Sequence, residues 1–503
     1  MSLFDTTVPS SKTAETVQVP TIFVLSIAWS QHEPHRIGEV AQPAPFEKLL
    51  LGRGVPGLEG FLRFGRRRPG SPFLVEAYEH CLAGDTLSKK QAEVEVTAQG
   101  IKIKRVGRCP MYVNGVACEE ATLEENHTVH FKEAVVLQCL RRPLVLPPLK
   151  ALDEMHPWGE RDSIGNVGES PGSWAVRDAV ALAALSDRPV LVRGESGTGK
   201  ENAAQGIHRR SSRANKRLIS LNAPAIPVGL IESELFGIRA NTAQGNAAKE
   251  GLVVTAEGST LFLDEIGSIS HDVQSKMLRV LDKGEYKPLG ENLPRWTNAR
   301  WVVATNKDDS VFMADFLERF TARVHIPPLR ERQEDIPLLI RHILLDDAAG
   351  PGGRKRIGSF LERGPDGAMY PRLDGALVDY LIRQPLYLNV RELMRLLDLA
   401  VAESLGEDRL RLPPAWLVES KPKTPVAQVV PQRKKTKEEI VAALELISLA
   451  ARVGRASVVP VEEAGLALMR SGSMARVHVL SWPWRAPSRR TSSVSSRTFR
   501  GQS

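Results

Sequence analysis

Leu191-Val-Arg-Gly-Glu-Ser-Gly-Thr-Gly-Lys200-Glu201 joins an apolar, β-type run (Pro189 to Val192) to a helix-compatible stretch (Glu201 to Arg210) through a glycine-rich turn. Strand, GxxxxGK and helix in that order make a phosphate-binding loop. Gly194 and Gly199 let the backbone curl so that its N–H groups converge on phosphate oxygens. The following helix adds the partial positive charge of its N-terminus, and Lys200 has the reach to meet β- and γ-phosphates.

Downstream, Thr260-Leu-Phe-Leu-Asp264-Glu265-Ile-Gly267 carries a matching signal. An apolar run ending in two carboxylates predicts a buried parallel strand with its acids at the C-terminal end. Ligands bind at that end of an open α/β sheet. Asp264 is placed to hold Mg²⁺ and Glu265 to orient an attacking water. Together the two stretches predict a site for nucleotide hydrolysis.

The bulk composition sets limits. The chain has 503 residues, room for about three domains. Its 42% hydrophobic and 25% charged content is that of ordinary globular protein. The formal net charge of +8 permits nucleic-acid binding without establishing it. Cys81, Cys109, Cys118 and Cys139 all lie in the N-terminal third and form no CxxC pair, so reduced thiols are expected rather than a zinc site or a disulfide framework. No apolar run reaches the ~18 residues that span a bilayer, and Met1-Ser-Leu-Phe-Asp5 lacks the pattern of a signal peptide. A cytoplasmic location with no membrane partner is the expectation.

Along the chain, short β-type runs punctuated by Gly, Pro and Asn fill residues 21–145: Thr21–Ile27, Phe73–Tyr78, Ala92–Thr97, Ile101–Val106, Met111–Val113, Thr128–Phe131 and Ala134–Leu140. They predict a β-sandwich. Residues 146–168 have the Pro and charge content of a linker. Strands alternate with helices from 169 to 338, which is α/β, and a helical pattern follows over 339–417. A second linker covers 418–437.

The central motifs occur in a specific order: Gly194–Glu201, Glu232-Ser-Glu-Leu-Phe-Gly237, Gly258–Gly267, Ala304-Thr-Asn306, Pro327-Pro-Leu-Arg-Glu-Arg332 with Asp335-Ile-Pro337, and Asn389-Val-Arg-Glu-Leu393. This series resembles the AAA+ domain of bacterial enhancer-binding proteins, the ATPases that activate transcription by sigma-54 RNA polymerase. The resemblance implies that Gly194, Glu195, Ser196, Gly197, Thr198, Gly199, Lys200 and Glu201 hold ATP. It makes Asp264 (with Mg²⁺) and Glu265 the Walker B pair, and Asn222 a switch residue that holds the catalytic glutamate. Asn306 becomes sensor I, Arg391 sensor II in a helical lid, and Arg319 an arginine supplied in trans to a neighbour's nucleotide. A homo-oligomeric ring acting on the sigma-54 RNA polymerase holoenzyme is the implied assembly.

Three departures stand beside the match. The family's contact loop reads Gly-Ala-Phe-Thr-Gly-Ala, whereas here Asn241-Thr-Ala-Gln-Gly-Asn246 puts Ala243 where the aromatic belongs and Gln244 where the Thr belongs. Met313 replaces the first of two arginines in the helix that carries Arg319, and Leu388 replaces the glycine before Asn389.

Leu51-Gly52-Arg53-Gly54, Leu87-Ser88-Lys-Lys-Gln91 and Tyr112-Val-Asn114-Gly115, set among β runs, resemble a forkhead-associated (FHA) domain. That family binds phosphothreonine peptides. The resemblance assigns the phosphate to Arg53, a hydroxyl donor to Ser88 and added charge to Lys89. Arg108 on a neighbouring loop joins them, and Asn114-Gly115 holds a turn. The alternative is a sandwich that only docks on the ATPase, with Arg53 in a structural ion pair.

At the C-terminus, Thr436-Lys-Glu-Glu-Ile-Val-Ala-Ala-Leu-Glu445 resembles the first helix of the family's DNA-binding helix-turn-helix, with Thr436 as cap. Beyond Glu463 there is no acidic residue, and Arg485 to Arg497 is rich in Arg and Ser. Residues 438–503 are expected to be a degenerate helix-turn-helix or a disordered basic tail, either of which offers DNA a contact. The fold class expected is therefore multidomain: an N-terminal all-β FHA-like sandwich, a central α/β P-loop AAA+ domain with a helical lid, and a basic, partly disordered C-terminal region. The function expected is a sigma-54-type, ATP-dependent transcription regulator that senses a phosphothreonine signal; the alternative is a nucleotide-binding signalling or scaffold protein that no longer remodels sigma-54.

Overall fold

In the computed structural model, which describes residues 21–43, 47–54, 60–70, 76–77, 81–152, 156–240 and 248–419, the apolar runs of the central region become a five-stranded sheet. Its order is Ile219–Asn222, Thr260–Asp264, Arg300–Thr305, Val190–Arg193, Ala322–His325, and every pairing is parallel. The inner strands are buried nearly end to end because helices cover both faces, while the two edge strands alternate between wholly or partly covered and exposed positions. Helices Ile231–Phe236 and His271–Lys283 lie over one face, and Pro171–Ala184 and Lys200–Arg209 over the other. The start of Pro171–Ala184 is capped by Ser170, whose Oγ accepts from Ser173 N, and that of His271–Lys283 by Ser270, which accepts from Val273 N. This is the P-loop α/β arrangement expected, with the carboxyl ends of the three inner strands on one side.

Helices Ile336–Ala349, Gly375–Ile382 and Val390–Glu403 share an apolar cluster and make the helical subdomain. The helical pattern expected over 339–417 is interrupted by an antiparallel hairpin, Leu361–Arg363 with Met369–Pro371. Gly364-Pro365-Asp366-Gly367 is a turn: Gly364 N donates to Ala368 O at 2.7 Å and Asp366 Oδ1 accepts from Ala368 N at 3.1 Å.

The N-terminal region is two antiparallel sheets. One has eight strands, ordered Glu76–Ala77, Gly65–Arg66, Val40–Ala41, Thr21–Ser30, Val135–Pro143, Thr128–Phe131, Met111–Val113, Val116–Ala117. The other has four, ordered Glu120–Leu123, Ile101–Arg105, Ala92–Val96, Lys48–Leu51. Leu25, Ile27, Phe131 and Leu137 from the first share one core with Leu51, Val94, Ile103 and Leu123 from the second. The second sheet alternates buried and exposed positions, as a half-wet sheet must. The first does not: Val24 to Ser30 are buried throughout, and so are Thr128 to Phe131. Its outer face is covered, because Ala28, Trp29 and Val136 belong to the same cluster as Leu377 and Leu381 of the helical subdomain. A register shift between Ile27 and Trp29 helps aim both Ala28 and Trp29 that way.

The segment between these modules is packed rather than slack. Leu144, Leu146, His156, Trp158, Ile164 and Val167 are buried, and Trp158 Nε1 donates to Ile37 O at 3.0 Å. The contact-loop stretch 241–247, and residues 420–503 with the second linker and the helix-turn-helix or tail, lie outside the described residues. No described helix is long and apolar enough to cross a membrane.

Candidate functional site

The strand Val190–Arg193 delivers the chain to the phosphate loop, and the helix Lys200–Arg209 leaves it. Gly197 and Gly199 have φ of +76° and +100°, a region that side chains with a Cβ rarely enter. A Cβ on Gly197 would also stand 2.3 Å from Leu388 O, so the lid backbone presses directly on the loop. Thr198 Oγ1 donates to Glu195 O at 2.9 Å and closes the turn.

Lys200 lies at the centre, buried. Its Nζ donates to Gly194 O at 3.1 Å and Glu195 O at 3.2 Å, and is 3.2 Å from Glu265 Oε1. Asp264 ends the strand Thr260–Asp264 and accepts from Glu265 N at 3.0 Å. Burial, and after it the neighbouring Glu265 carboxylate, push the Asp264 carboxyl above its usual range; Lys200 opposes them. Two carboxylates crowded beside a glycine cradle form a donor set that suits a hard divalent cation carrying phosphate. Asn222 sits across from Asp264 in the parallel register. Asn306 follows the strand Arg300–Thr305, and its N–H donates to Glu265 Oε2 at 3.4 Å.

The lid closes the other side. Arg391, in the first turn of the helix Val390–Glu403, donates from Nη1 to Ser196 Oγ at 2.8 Å. Between loop and lid opens a cleft of about 950 Å³, lined by residues 196–201, Asp264, Glu265 and Arg391, with Ile164, Val167 and Ile343 supplying apolar wall. Phosphate-binding and apolar lining in one cleft match a nucleotide's two ends. Arg319 is elsewhere: it caps the helix Ala314–Glu318 and its Nε is 2.6 Å from Asp282 Oδ1, so it does not line its own chain's cleft.

Motif reading missed the groups that hold the loop from behind. Arg330 makes two bonds to Glu195, at 2.7 and 2.6 Å. Arg332, buried, donates from Nη2 to Thr198 O at 3.2 Å. Asn389, fully buried at φ +54°, donates from Nδ2 to Glu195 Oε2 and Ser196 O and accepts from Leu329 N at 2.8 Å. The Arg-Glu-Arg of residues 330–332 was the available signal.

A second cluster occupies one end of the sandwich. Gly52 approaches the 88–89 backbone so closely that a Cβ would fall 2.3 Å from Lys89 O, and Arg53 N donates to Ser88 O at 3.1 Å. Arg108 N donates to Ser88 Oγ at 3.0 Å. Arg53 is half-buried and pairs with the exposed Asp85 at 3.2 Å; Lys89 and Arg108 are exposed. Arg53, Ser88, Lys89 and Arg108 thus lie on adjoining loops. Their organiser is Gln91, fully buried, which accepts from Ser88 N and Cys109 N and donates to Cys109 O at 2.8 Å. Asn114, at φ +50°, holds the hairpin turn and accepts from Thr128 N at 2.9 Å.

The four cysteines are free thiols; burial pushes Cys139 up to about 12. No group of three or more His, Cys, Asp or Glu among the described residues is arranged to hold a metal.

Comparison with known proteins locates the central module. Residues 166–329 match the family model described as Sigma-54 interaction domain. The chain is 37% identical over 273 residues to the formate hydrogenlyase transcriptional activator FhlA of Escherichia coli K12, covering 52% of this chain and 37% of that protein. It is 44% identical over 186 residues to the DNA-binding transcriptional regulator NtrC of Klebsiella pneumoniae, covering 35% of this chain and 40% of that one. The match thus spans less than half the length of either relative. Among solved structures, NtrX from Brucella abortus in complex with ADP aligns over 57% of this chain and 61% of its own, with 24% identity and a TM-score of 0.43.

Proposed function

We propose that this chain is an ATP-dependent transcription regulator of the sigma-54 activator type, acting in the cytoplasm as a homo-oligomeric ring. The observation that carries the reading is the position of Lys200, between the phosphate-loop carbonyls and Glu265, in a cleft that Arg391 of the lid closes. ATP bound there would supply the phosphoanhydride bond, and Asp264 would hold Mg²⁺, which would supply positive charge to the phosphates. Lys200 and the N–H groups of 197–200 orient the phosphates. Glu265 takes the position from which a water is aligned, with Asn222 and Asn306 adjusting it. Arg391 reports closure of the lid, and Arg319 completes a neighbouring chain's site.

The sandwich is proposed as an FHA domain sensing a phosphothreonine protein through Arg53, Ser88, Lys89 and Arg108. The adjoining loops and their common anchor on Gln91 support this. Residues 438–503 are proposed to contact DNA through their basic character.

A second reading is a nucleotide-binding signalling or scaffold protein that has given up sigma-54. The sequence Asn241 to Asn246, which holds no aromatic residue, favours it. One experiment separates the two: ATP hydrolysis by the full chain with and without sigma-54, beside Lys200→Ala and Glu265→Gln. The activator reading expects turnover lost in both variants and changed by sigma-54. Turnover indifferent to sigma-54 selects the second reading. No nucleotide binding by the wild type sinks both.

A further inference from the structure

The base of the ATPase module joins its lid through residues 327–335, between the strand Ala322–His325 and the helix Ile336–Ala349. Side chains of this join reach three separate places. Arg330 and Arg332 hold the phosphate loop at Glu195 and Thr198. Asp335, fully buried, accepts from Glu169 N, Ser170 N, Ser170 Oγ and Ser173 Oγ at 2.6 to 2.9 Å, which fixes the start of the helix Pro171–Ala184.

Two further residues of the join, Gln333 and Glu334, face the sandwich. Glu334 Oε2 accepts from Arg142 Nε at 2.8 Å and also from Arg142 Nη2. Gln333 Oε1 accepts from Gln138 Nε2 at 3.1 Å. Both sandwich partners sit on the strand Val135–Pro143, and Arg142 and Glu334 are buried together. The same sheet face covers the lid helix Gly375–Ile382, where Thr128 Oγ1 donates to Asp379 and Trp29 and Val136 share an apolar cluster with Leu377. The sandwich therefore touches both the lid and the join that leads into it. A buried, hydrogen-bonded ion pair is sensitive to small displacement, because separating its partners leaves each charge uncompensated in a dry site.

We propose that Arg142 and Glu334 are positioning residues for the nucleotide cleft, so that the docked sandwich sets nucleotide affinity through the join at 330–335. The inference rests on the nucleotide-binding reading above. It gives the sandwich a role in the cleft that is independent of any phosphopeptide.

The test uses the full chain and ADP as probe. Binding is measured by titration with wild type, Lys200→Ala, and the double variant Arg142→Met/Glu334→Met. Replacing a buried ion pair with apolar side chains of similar volume often leaves stability intact. The expected result is a melting transition close to wild type with ADP affinity changed by about 5-fold or more, the scale of ordinary coupling between sites. Unchanged affinity in a folded double variant overturns the proposal. Hydrogen exchange on the wild type decides the matter even if the variant does not fold. Coupling is reciprocal, so ADP should slow exchange in 135–143 and 330–335 as well as in 194–200. Protection confined to 194–200 overturns the proposal and leaves nucleotide binding standing. Failure of the wild type to bind ADP, with Lys200→Ala indistinguishable from it, removes the underlying reading and the proposal with it.

Discussion

Asn389 of the lid and Glu195 of the phosphate loop are joined by a hydrogen bond of 3.2 Å across 194 residues of sequence. Asn389 is fully buried, and its carbonyl oxygen also accepts the Leu329 N–H, so one side chain ties loop, lid and join together. Its φ of +54° is a conformation that asparagine tolerates better than most residues. Asn389→Ala leaves the buried Leu329 N–H without its acceptor, at a cost of about 1–3 kcal/mol. Chemical denaturation should show that loss, and ADP titration should show weaker binding. Wild-type affinity in a destabilised variant would reduce Asn389 to a purely structural role.

Arg319 pairs with Asp282 at 2.6 Å on a surface where both side chains are partly exposed. Such a pair contributes at most about 1 kcal/mol, so Arg319→Ala should melt close to wild type. If Arg319 serves a neighbouring chain's cleft, the variant loses turnover by roughly 10³–10⁵-fold while keeping ADP affinity. Wild-type turnover per chain should also rise with protein concentration. Full activity in Arg319→Ala would assign the residue to the surface alone.

Arg53 has the same balance at the sandwich end. Its partner Asp85 is fully exposed, so the pair contributes little stability. Arg53→Ala should therefore fold normally and lose phosphothreonine-peptide binding, measured by fluorescence anisotropy against the unphosphorylated peptide. Gln91→Ala should lose both binding and stability, since Gln91 anchors the loops from inside. Equal binding of phosphorylated and plain peptides by wild type would dismiss the FHA reading.

Glu39 supplies a pH dependence. Burial pushes its carboxyl from an ordinary 4.5 to about 6, although Arg36 Nε donates to it at 2.8 Å. The folded state then binds a proton more tightly than the unfolded chain. The resulting stability, on the order of 2 kcal/mol, is fully present below pH 4.5 and lost as pH rises through 6. Between pH 5 and 7 the wild type should lose roughly 1 kcal/mol more than Glu39→Gln. Parallel pH profiles for the two would refute the assignment.

The phosphate loop was legible from sequence because its bonds are short-range: Thr198 Oγ1 to Glu195 O, and Lys200 Nζ to Gly194 O and Glu195 O, lie within six residues. The strand ending at Asp264 was legible from its apolar run. Two-residue strands such as Val40–Ala41 and Val116–Ala117 were not, since no periodicity can be read over so short a span. The hairpin Leu361–Arg363/Met369–Pro371 was hidden because each strand has only three residues, too few to show a periodicity, although Gly364-Pro-Asp-Gly367 marks its turn.

What sequence alone determined is the local frame of the central cleft, because a turn, a strand end and a helix start are specified by neighbours a few residues apart. What only the tertiary structure decided is who holds that cleft. Arg330 meets Glu195 across 135 residues, and Arg142 meets Glu334 across 192. The burial of Ala28 and Trp29 on the outer face of their strand likewise has its cause in a lid helix beginning at Gly375. Such pairings follow from which faces are left to be covered once each module has formed, and that is settled by packing rather than by local pattern.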